Sequence, residues 1–193
     1  NAGLQKRSAH LSVSLKYLFL QKGVHKMPMP IETQYPGLLE GRITEIYVHE
    51  HGIPDVTPAI PPRTVIQNGD PWAVRVRWEM NGPDPVLWHS FSGHWRVSLG
   101  LESIGPGPEF RLTDFADPDC QNQPLPSVDG TYECHFDVPG DLMTDAEVTD
   151  EGLAMKLVVL ITYRDPLGHQ GPIAGYEEGP ILQFYVEEHD AIP

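Results

Sequence analysis

The feature that most restricts the fold is the apolar run from Leu153 to Tyr163, LAMKLVVLITY, which lies between Gly152 and Asp165. Its β-branched residues suit a pleated strand and crowd a helix, and its length is that of a strand. Both of its faces are largely apolar, as expected for a central strand of a sheet whose second face is also covered. A second apolar run, Ile181 to Val186, predicts a neighbouring strand.

Alternation of apolar and polar residues between turns rich in Pro and Gly predicts further strands. The clearest is Trp72–Trp78, where tryptophan and valine alternate with Arg75 and Arg77, so the arginines are expected to face solvent. The strands predicted in addition to the central pair are Arg42–His49, Arg63–Gln67, Trp72–Trp78, His94–Ser103, Glu109–Leu112 and Thr131–Val138.

About eight strands, with a helical signal only near Leu142–Val148, predict an all-β fold: an antiparallel β-sandwich. The layout is similar in a general way to immunoglobulin-like or fibronectin-like sandwiches. It lacks the Cys…Trp…Cys pattern of true immunoglobulin domains, because no Trp lies between Cys120 and Cys134. A jelly roll, which also uses eight strands, is the alternative.

The expected organisation is an N-terminal arm with a Pro-rich lead-in, residues 1–38, followed by the sandwich domain, residues 39–190. Asn1-Ala2 is interpreted as the remnant of a purification tag, and Met27 or Met29 as a natural start. Residues 3–26 carry basic side chains and no acidic one. We expect this arm to be ordered and to pack on the exposed face of the central sheet, of its own or of a neighbouring molecule, because its basic character suits an acidic body.

The charge of the chain restricts its partners. The formal net charge is -14, which argues against a nucleic-acid backbone or an anionic membrane. The sequence shows no predicted signal peptide and no apolar run of the roughly 20 residues that span a bilayer, so the cytoplasm is the default expectation for an otherwise unknown location. Cys120 and Cys134 could form one disulfide, but the position of Cys134 in a strand pattern favours a buried free thiol.

Histidines near the loop ends are the candidate metal ligands. If strand directions alternate, the long loops 50–62, 80–93, 113–130 and 164–180 gather at one end of the fold. His49 and His51 would lie on one face of an extended strand there, a spacing that can chelate, with His89 and His169 in nearby loops. These four residues are the predicted site for a divalent metal, and the competing interpretation is that they are ordinary surface histidines.

Aromatic residues outside the alternating pattern are the candidate binding residues. Trp88 and Phe91 lie in a loop, and with Tyr176 they would form an exposed platform for a sugar ring or a partner's side chain. The alternative is that they cap the bottom of the sandwich. No nucleophile is indicated, because the G-x-S-x-G elbow is missing and the adjacent strand residues Cys134 and His135 point to opposite faces.

These observations favour a non-catalytic binding or interaction module over an enzyme. We expect a protein or carbohydrate ligand, no nucleic acid, no membrane, and no cofactor other than a divalent metal at the histidines. Two alternatives stay open. One is a metal-binding protein or metal-dependent enzyme, and the other is a structural subunit that forms a homo-oligomer through the N-terminal arm or a sheet face.

Overall fold

The described part of the chain is mostly β-strand, which confirms the all-β class. The computed structural model describes residues 30–33, 39–52, 63–82, 92–118, 120, 130–149 and 151–187, with the backbone alone at 123–125. The predicted arm up to residue 29 lies outside these residues. The strands are β1 (Pro30–Thr33), β2 (Glu40–Glu50), β3 (Val65–Gln67), β4 (Trp72–Asn81), β5 (Gly93–Ser103), β6 (Glu109–Arg111), β7 (Gln123–Leu125), β8 (Thr131–Val138), β9 (Leu153–Arg164) and β10 (Gln170–Tyr185).

The strands form one continuous sheet in the order β6-β5-β9-β10-β1-β2-β4-β8. β3 adds to β10 as a parallel strand and β7 adds to β5, while the remaining pairs are antiparallel. β1 lies within the predicted lead-in and pairs with β2 through one edge and with β10 through the other. This short strand therefore joins two parts of the sheet: half-sheet A, made of β2, β4 and β8, and half-sheet B, made of β5, β9 and β10.

Helical structure in the described ranges is confined to short turns. One turn of α-helix, α1 (Asp145–Val148), begins with a capping box in which the Thr144 amide donates to Glu147 Oε2 at 2.8 Å. Single 3₁₀ turns occur at Thr113–Phe115 and Gly140–Leu142. The helical signal predicted near Leu142–Val148 corresponds to α1 and the turn before it.

The strand predictions succeeded where alternation was regular and failed where Gly and Pro interrupted it. Thr131–Val138 is confirmed, and the central run is confirmed as β9, one residue longer than predicted. The predicted loop 164–180 is wrong for most of its length, because β10 begins at Gln170. Two register shifts against β9 let the strand continue past its prolines and glycines, and a Cβ at Gly175 would lie only 2.8 Å from Ile31 of β1.

The sheet curls so that aromatic side chains of the two half-sheets meet in the core. The rings of Trp78 on β4 and Trp95 on β5 are 6.3 Å apart in an edge-on contact, and Trp78 stacks on Tyr132 of β8 at 5.2 Å. Farther along the fold, Trp72 of β4 contacts Phe184 of β10 at 5.9 Å. These contacts determine which side chains of β4, β5, β8 and β10 face the core, and therefore which side chains of those strands face outward.

β9 is central, as predicted, with β5 along one edge and β10 along the other. Its inner residues Leu157, Val159 and Ile161 are fully buried. The expectation that its second face is also covered is wrong at Leu160, which is 41% exposed. Val158 beside it is half-buried, so an apolar strip on β9 opens to the outside of half-sheet B.

The two cysteines form a disulfide between Cys120 and the buried Cys134 of β8, so the free thiol favoured by the sequence pattern is wrong. The same segment lies along the free edge of β8, where the Asp117 amide donates to the His135 carbonyl at 2.9 Å. A cross-link that closes a loop of this length stabilises a fold chiefly by restricting the unfolded chain. The bridge therefore fastens the connection between half-sheet B and the edge of half-sheet A.

We expect the Trp95→Ala substitution to lower the free energy of unfolding by about 3–5 kcal/mol, because it removes a fully buried ring from the contact between the half-sheets. Urea denaturation followed by circular dichroism measures the change. Leu167→Ala is the control, because Leu167 is largely exposed in the β9–β10 turn and should change stability by less than about 0.5 kcal/mol. Equal losses in the two variants would contradict this assignment of the core.

Candidate functional site

The outer face of half-sheet B carries an ordered set of side chains. Cross-strand register aligns Ser98 of β5 with Leu160 of β9, and Leu160 with Tyr176 of β10. Near the β9–β10 turn, the cross-strand pairs of β5 and β9 carry basic side chains: Arg96 lies opposite Thr162, and His94 opposite Arg164. Toward the other end of the two strands, Glu102 lies opposite Lys156. The middle of this face is thus apolar and aromatic, with charged side chains at both ends.

A groove of about 400 Å³ lies on this face above β5, between the side chains of β9 on one side and those of the short edge strand β6 on the other. Its base is formed by the open strip of β9 and by Gly100, which leaves room because it has no side chain. Phe110 of β6 forms part of the wall, and polar side chains lie along the rim. The lining residues that the argument uses are Ser98, Glu102, Phe110, Arg111, Val158 and Leu160. A space of this size with an apolar base and a few polar groups is typical of a small-ligand site.

Tyr176 stands beside this groove and is 45% exposed. Its hydroxyl lies 3.5 Å from Glu178 Oε1, and Lys156 Nζ pairs with Glu178 Oε2 at 3.1 Å. Local burial, the carboxylates of Glu178 and Glu102 and the contact with Glu178 raise the pKa of Tyr176 above its ordinary value of 10.0, so the hydroxyl is a neutral donor at physiological pH. Of the predicted aromatic platform, the structure places Tyr176 on this surface, while Trp88 and Phe91 lie outside the described residues.

A second pocket of about 300 Å³ adjoins the groove toward the β9–β10 turn. Arg111 and Thr113 line both spaces. The pocket is otherwise lined by His94 and Arg96 of β5, Arg164 of β9, Asp114 and Gly168. Sequence reasoning placed His94 only at the margin of the predicted histidine site and did not select the arginines. Arg96 and Arg111 lie on predicted strands and Arg164 in a predicted loop, and nothing in one sequence shows that they converge.

Asp165 organises the β9–β10 turn that closes this pocket. Its Oδ1 accepts from the amides of Leu167 at 2.9 Å and His169 at 2.8 Å, and its Oδ2 lies 3.2 Å from His169 Nδ1. Partial desolvation acts to raise the pKa of Asp165, but the hydrogen bonds from His169 and Leu167 hold it below its ordinary value of 3.8. The turn in this way presents the carbonyl of Gly168 to Arg164 Nη1 at 3.3 Å.

Of the four predicted metal ligands, His51 and His169 lie far apart in the structure. β1 is antiparallel to both β2 and β10, and β3 is parallel to β10, so β2 and β3 run in the same direction. The predicted alternation of strand directions is therefore wrong at this point, and the grouping of loops based on it does not hold. His51 follows the end of β2 and His169 precedes the start of β10, at opposite ends of the sheet. His89 lies outside the described residues.

His49 is the most constrained of the predicted ligands. It is 9% exposed, its Nδ1 lies 2.8 Å from the Glu50 carbonyl, and its Nε2 has no hydrogen-bond partner among the described residues. His51 lies nearby and its Nε2 is 3.9 Å from Asp137 Oδ1. Within the described ranges, no three His, Cys, Asp or Glu side chains are arranged to hold a metal ion.

The outer face of half-sheet A differs from that of half-sheet B, because its charges pair with one another. Arg75, predicted to face solvent, is only 4% exposed: its Nη2 donates to Glu45 Oε1 at 3.1 Å and its guanidinium lies 5.4 Å from the centre of the Tyr47 ring. The prediction is wrong because the neighbouring ring and carboxylate cover the arginine. Arg77 pairs with both Glu45 and Glu133. The charged side chains of this face therefore form an ion-pair network.

Comparison with protein-family models and with curated proteins found no match. In the part of the chain that the structure covers, no helix has the length and apolar character needed to cross a membrane.

The pH dependence of stability should report on Glu133. Burial alone would raise its pKa, but hydrogen bonds from His135 and Arg77 and their positive charge hold it below the ordinary value of 4.5. Because the folded-state pKa is the lower one, the contribution to stability is present above about pH 4.5 and is lost as the pH falls through the folded-state pKa.

We therefore expect Glu133→Gln to be less stable than the wild type at pH 7, with the difference closing as the pH falls below 4.5. Urea denaturation at a series of pH values measures it. Glu151→Gln, at an exposed turn position, is the control and should track the wild type at every pH. A constant offset between Glu133→Gln and the wild type across the whole range would contradict the assignment.

Proposed function

We propose that this chain is a non-catalytic binding module that holds a carbohydrate on the outer face of half-sheet B, in the groove beside Tyr176. The observation that carries the proposal is the open apolar strip of β9 at Val158 and Leu160, bordered by an exposed aromatic ring. An apolar surface on an otherwise polar outer face costs solvation free energy unless something covers it.

The mixture of groups on this face suits a sugar ring better than an extended peptide. A pyranose has apolar C–H faces that pack on an aromatic ring and hydroxyls that bond to side chains at its edge. Tyr176 and Leu160 offer the apolar contacts, while Ser98 and Arg111 offer hydrogen bonds along the rim. A peptide added as an extra strand would instead pair with the outer edge of β6 and lie beside the groove, because β6 already occupies the edge of β5.

The arrangement of acidic residues supports binding over hydrolysis. Glu102 and Glu109 face each other across β5 and β6 at the rim of the groove, and both are exposed. Glycoside hydrolysis uses a pair of carboxyls held on either side of the scissile bond in a site that excludes water. Two solvated carboxylates on one side of an open groove do not provide that geometry.

We also propose that the curled sheet is a β-sandwich of the immunoglobulin-like or fibronectin-like kind. The edge-on contact of Trp78 with Trp95 and of Trp72 with Phe184 supports two layers that pack face to face. The disulfide of Cys120 with Cys134 favours an oxidising compartment over the cytoplasm expected from sequence, because cytosolic proteins rarely keep such bonds.

Affinity gel electrophoresis with a panel of neutral polysaccharides (xylan, laminarin, galactomannan) and acidic ones (polygalacturonate, alginate) tests the proposal. We expect at least one polysaccharide to retard the protein, and Tyr176→Ala to weaken that retardation about 10-fold or more, because an exposed aromatic anchor is lost. Tyr185→Ala is the matched control, since Tyr185 is exposed on the same face but away from the groove. Light scattering must first show that this variant keeps the oligomeric state of the wild type, because Tyr185 also lies on the surface considered below for self-association.

Two results would count against carbohydrate binding in the groove. One is the lack of retardation by every polysaccharide in the panel. The other is an equal effect of Tyr176→Ala and Tyr185→Ala, which would place the ligand elsewhere or show general loss of folding. A thermal melt of each variant separates the last two explanations.

A second candidate function, a subunit of a homo-oligomer, is favoured by a separate apolar surface at the end of β10. Ile181 and Tyr185 of β10 and Val65 of the parallel strand β3 are exposed side by side on the outer face. We propose that a second copy of the chain covers this surface.

Size-exclusion chromatography with light scattering tests self-association. We expect a dimer at micromolar concentration, and a shift of Ile181→Lys to the monomer because a charge cannot be buried unpaired at the centre of the interface. Leu167→Lys should leave the dimer intact, because Leu167 is exposed in the β9–β10 turn, far from the end of β10 that carries the proposed interface. A wild-type protein that is monomeric at tens of micromolar would rule this candidate out.

A further inference from the structure

The pocket beside the groove collects positive charge in an acidic protein. His94 and Arg164 are cross-strand neighbours on β5 and β9, and Arg96 lies two residues farther along β5 on the same face. Arg111, from the end of β6, completes the set of basic side chains that line the pocket. Among the described residues, the only carboxylate in that lining is Asp114, whose Oδ1 lies 3.7 Å from Arg111 Nη2.

The basic side chains of this pocket form fewer and weaker ion pairs than the other described basic side chains. Arg96 and Arg164 have no carboxylate within 4.0 Å among the described residues, and Arg164 Nε is buried without a hydrogen-bond partner there. The pair of Arg111 with Asp114 is long, and both side chains are mostly exposed, so it stabilises little. Every other described arginine or lysine has a closer carboxylate: Arg42, Arg63, Arg75, Arg77 and Lys156.

The grouping of these basic side chains costs electrostatic free energy, which a bound anion would offset. Like charges on adjacent strands repel, and a chain with a net charge of -14 has many carboxylates that could have been placed among them. The planar guanidinium group matches a carboxylate, sulfate or phosphate through paired hydrogen bonds. Three guanidinium groups and an imidazole around one pocket of about 300 Å³ are therefore suited to a compact oxyanion.

The pocket and the groove form one surface, because Arg111 and Thr113 line both. Thr113 is held in place from within the sheet: the Leu99 amide donates to its Oγ1 at 3.1 Å. We propose that the pocket formed by His94, Arg96, Arg111 and Arg164 binds the anionic group of an acidic carbohydrate, a uronate carboxylate or a sulfate ester, whose ring lies in the groove. This inference rests on the proposed carbohydrate-binding function.

The first test uses inorganic anions and does not require the natural ligand. Sodium sulfate, phosphate and acetate are titrated separately into ¹⁵N-labelled protein at constant ionic strength, with chloride as the balancing salt. We expect saturable shifts of the Nε–H signals of Arg96 and Arg164, with half-saturation on the order of 1–10 mM. Shifts that grow linearly, or that are equal for all arginine signals, would show screening alone and overturn the proposal.

Two substitutions with opposite expected effects sharpen this test. Arg96→Gln should weaken anion binding about 10-fold, and because Arg96 is exposed it should leave the fold intact. Asp114→Asn removes the nearby negative charge and should strengthen binding severalfold. Arg42→Gln on half-sheet A is the matched control and should change nothing. A variant Arg96→Gln that binds sulfate as well as the wild type would disprove the assignment.

The second test distinguishes the inference from the function on which it rests. In affinity electrophoresis we expect polygalacturonate or alginate to retard the protein about 10-fold more strongly than neutral xylan, and Arg96→Gln to remove that preference. If neutral polysaccharides bind equally well and Arg96→Gln has no effect, the anion site is wrong and carbohydrate binding stands. If anions titrate the pocket but no polysaccharide binds, the carbohydrate proposal fails and the anion site stands alone.

Discussion

The contact between Trp78 and Trp95 determines what the outside of the protein presents. Side chains along a strand alternate between faces, so the burial of Trp95 directs its neighbours His94 and Arg96 outward. The pairing of β5 with β9 then sets Arg164 beside His94. A shift of one residue in that register would bury the arginines and expose the tryptophan, a change that costs far more than any ligand contact could return. The basic pocket is in this sense a consequence of core packing.

The outer faces of the two half-sheets use their charges differently. On half-sheet A, Glu45 lies between Arg75 and Arg77, and Glu133 accepts from Arg77 as well as pairing with His135 at 2.6 Å. Paired charges of this kind stabilise the surface and leave little net electrostatic field that could attract a charged ligand. On half-sheet B the arginines lie at one end of the face, and Glu102 and Glu178 lie with Lys156 at the other, with an apolar strip between the two ends. Separation of charge along a groove orients a ligand as well as attracting it.

Alternation was enough to predict the class of fold and the core strands, because period-two patterns such as that of Thr131–Val138 depend only on which face is buried. It could not predict β1, since Pro30–Thr33 has too few residues to show a period and gains its stability from pairing with β2 and β10. It also could not predict the first half of β10, where Gly and Pro are read as turn residues but lie at irregularities of the ladder. Partners distant in sequence decide both cases.

The candidate site shows the same division between local and distant information. Exposure of Leu160 could be suspected from the doubly apolar pattern of β9, although that pattern was interpreted as a covered face; Tyr176 was selected for its position in a loop and proves to lie on a strand. Arg96, Arg111 and Arg164 come from three strands and meet only because β6 folds back along β5 while β9 pairs with its other edge. Each arginine alone is an ordinary outward residue, so no single segment carries the signal. The sheet order brings them together. Among the described residues, Arg96 and Arg164 have no carboxylate close by, which sets this pocket apart from the paired surface of half-sheet A.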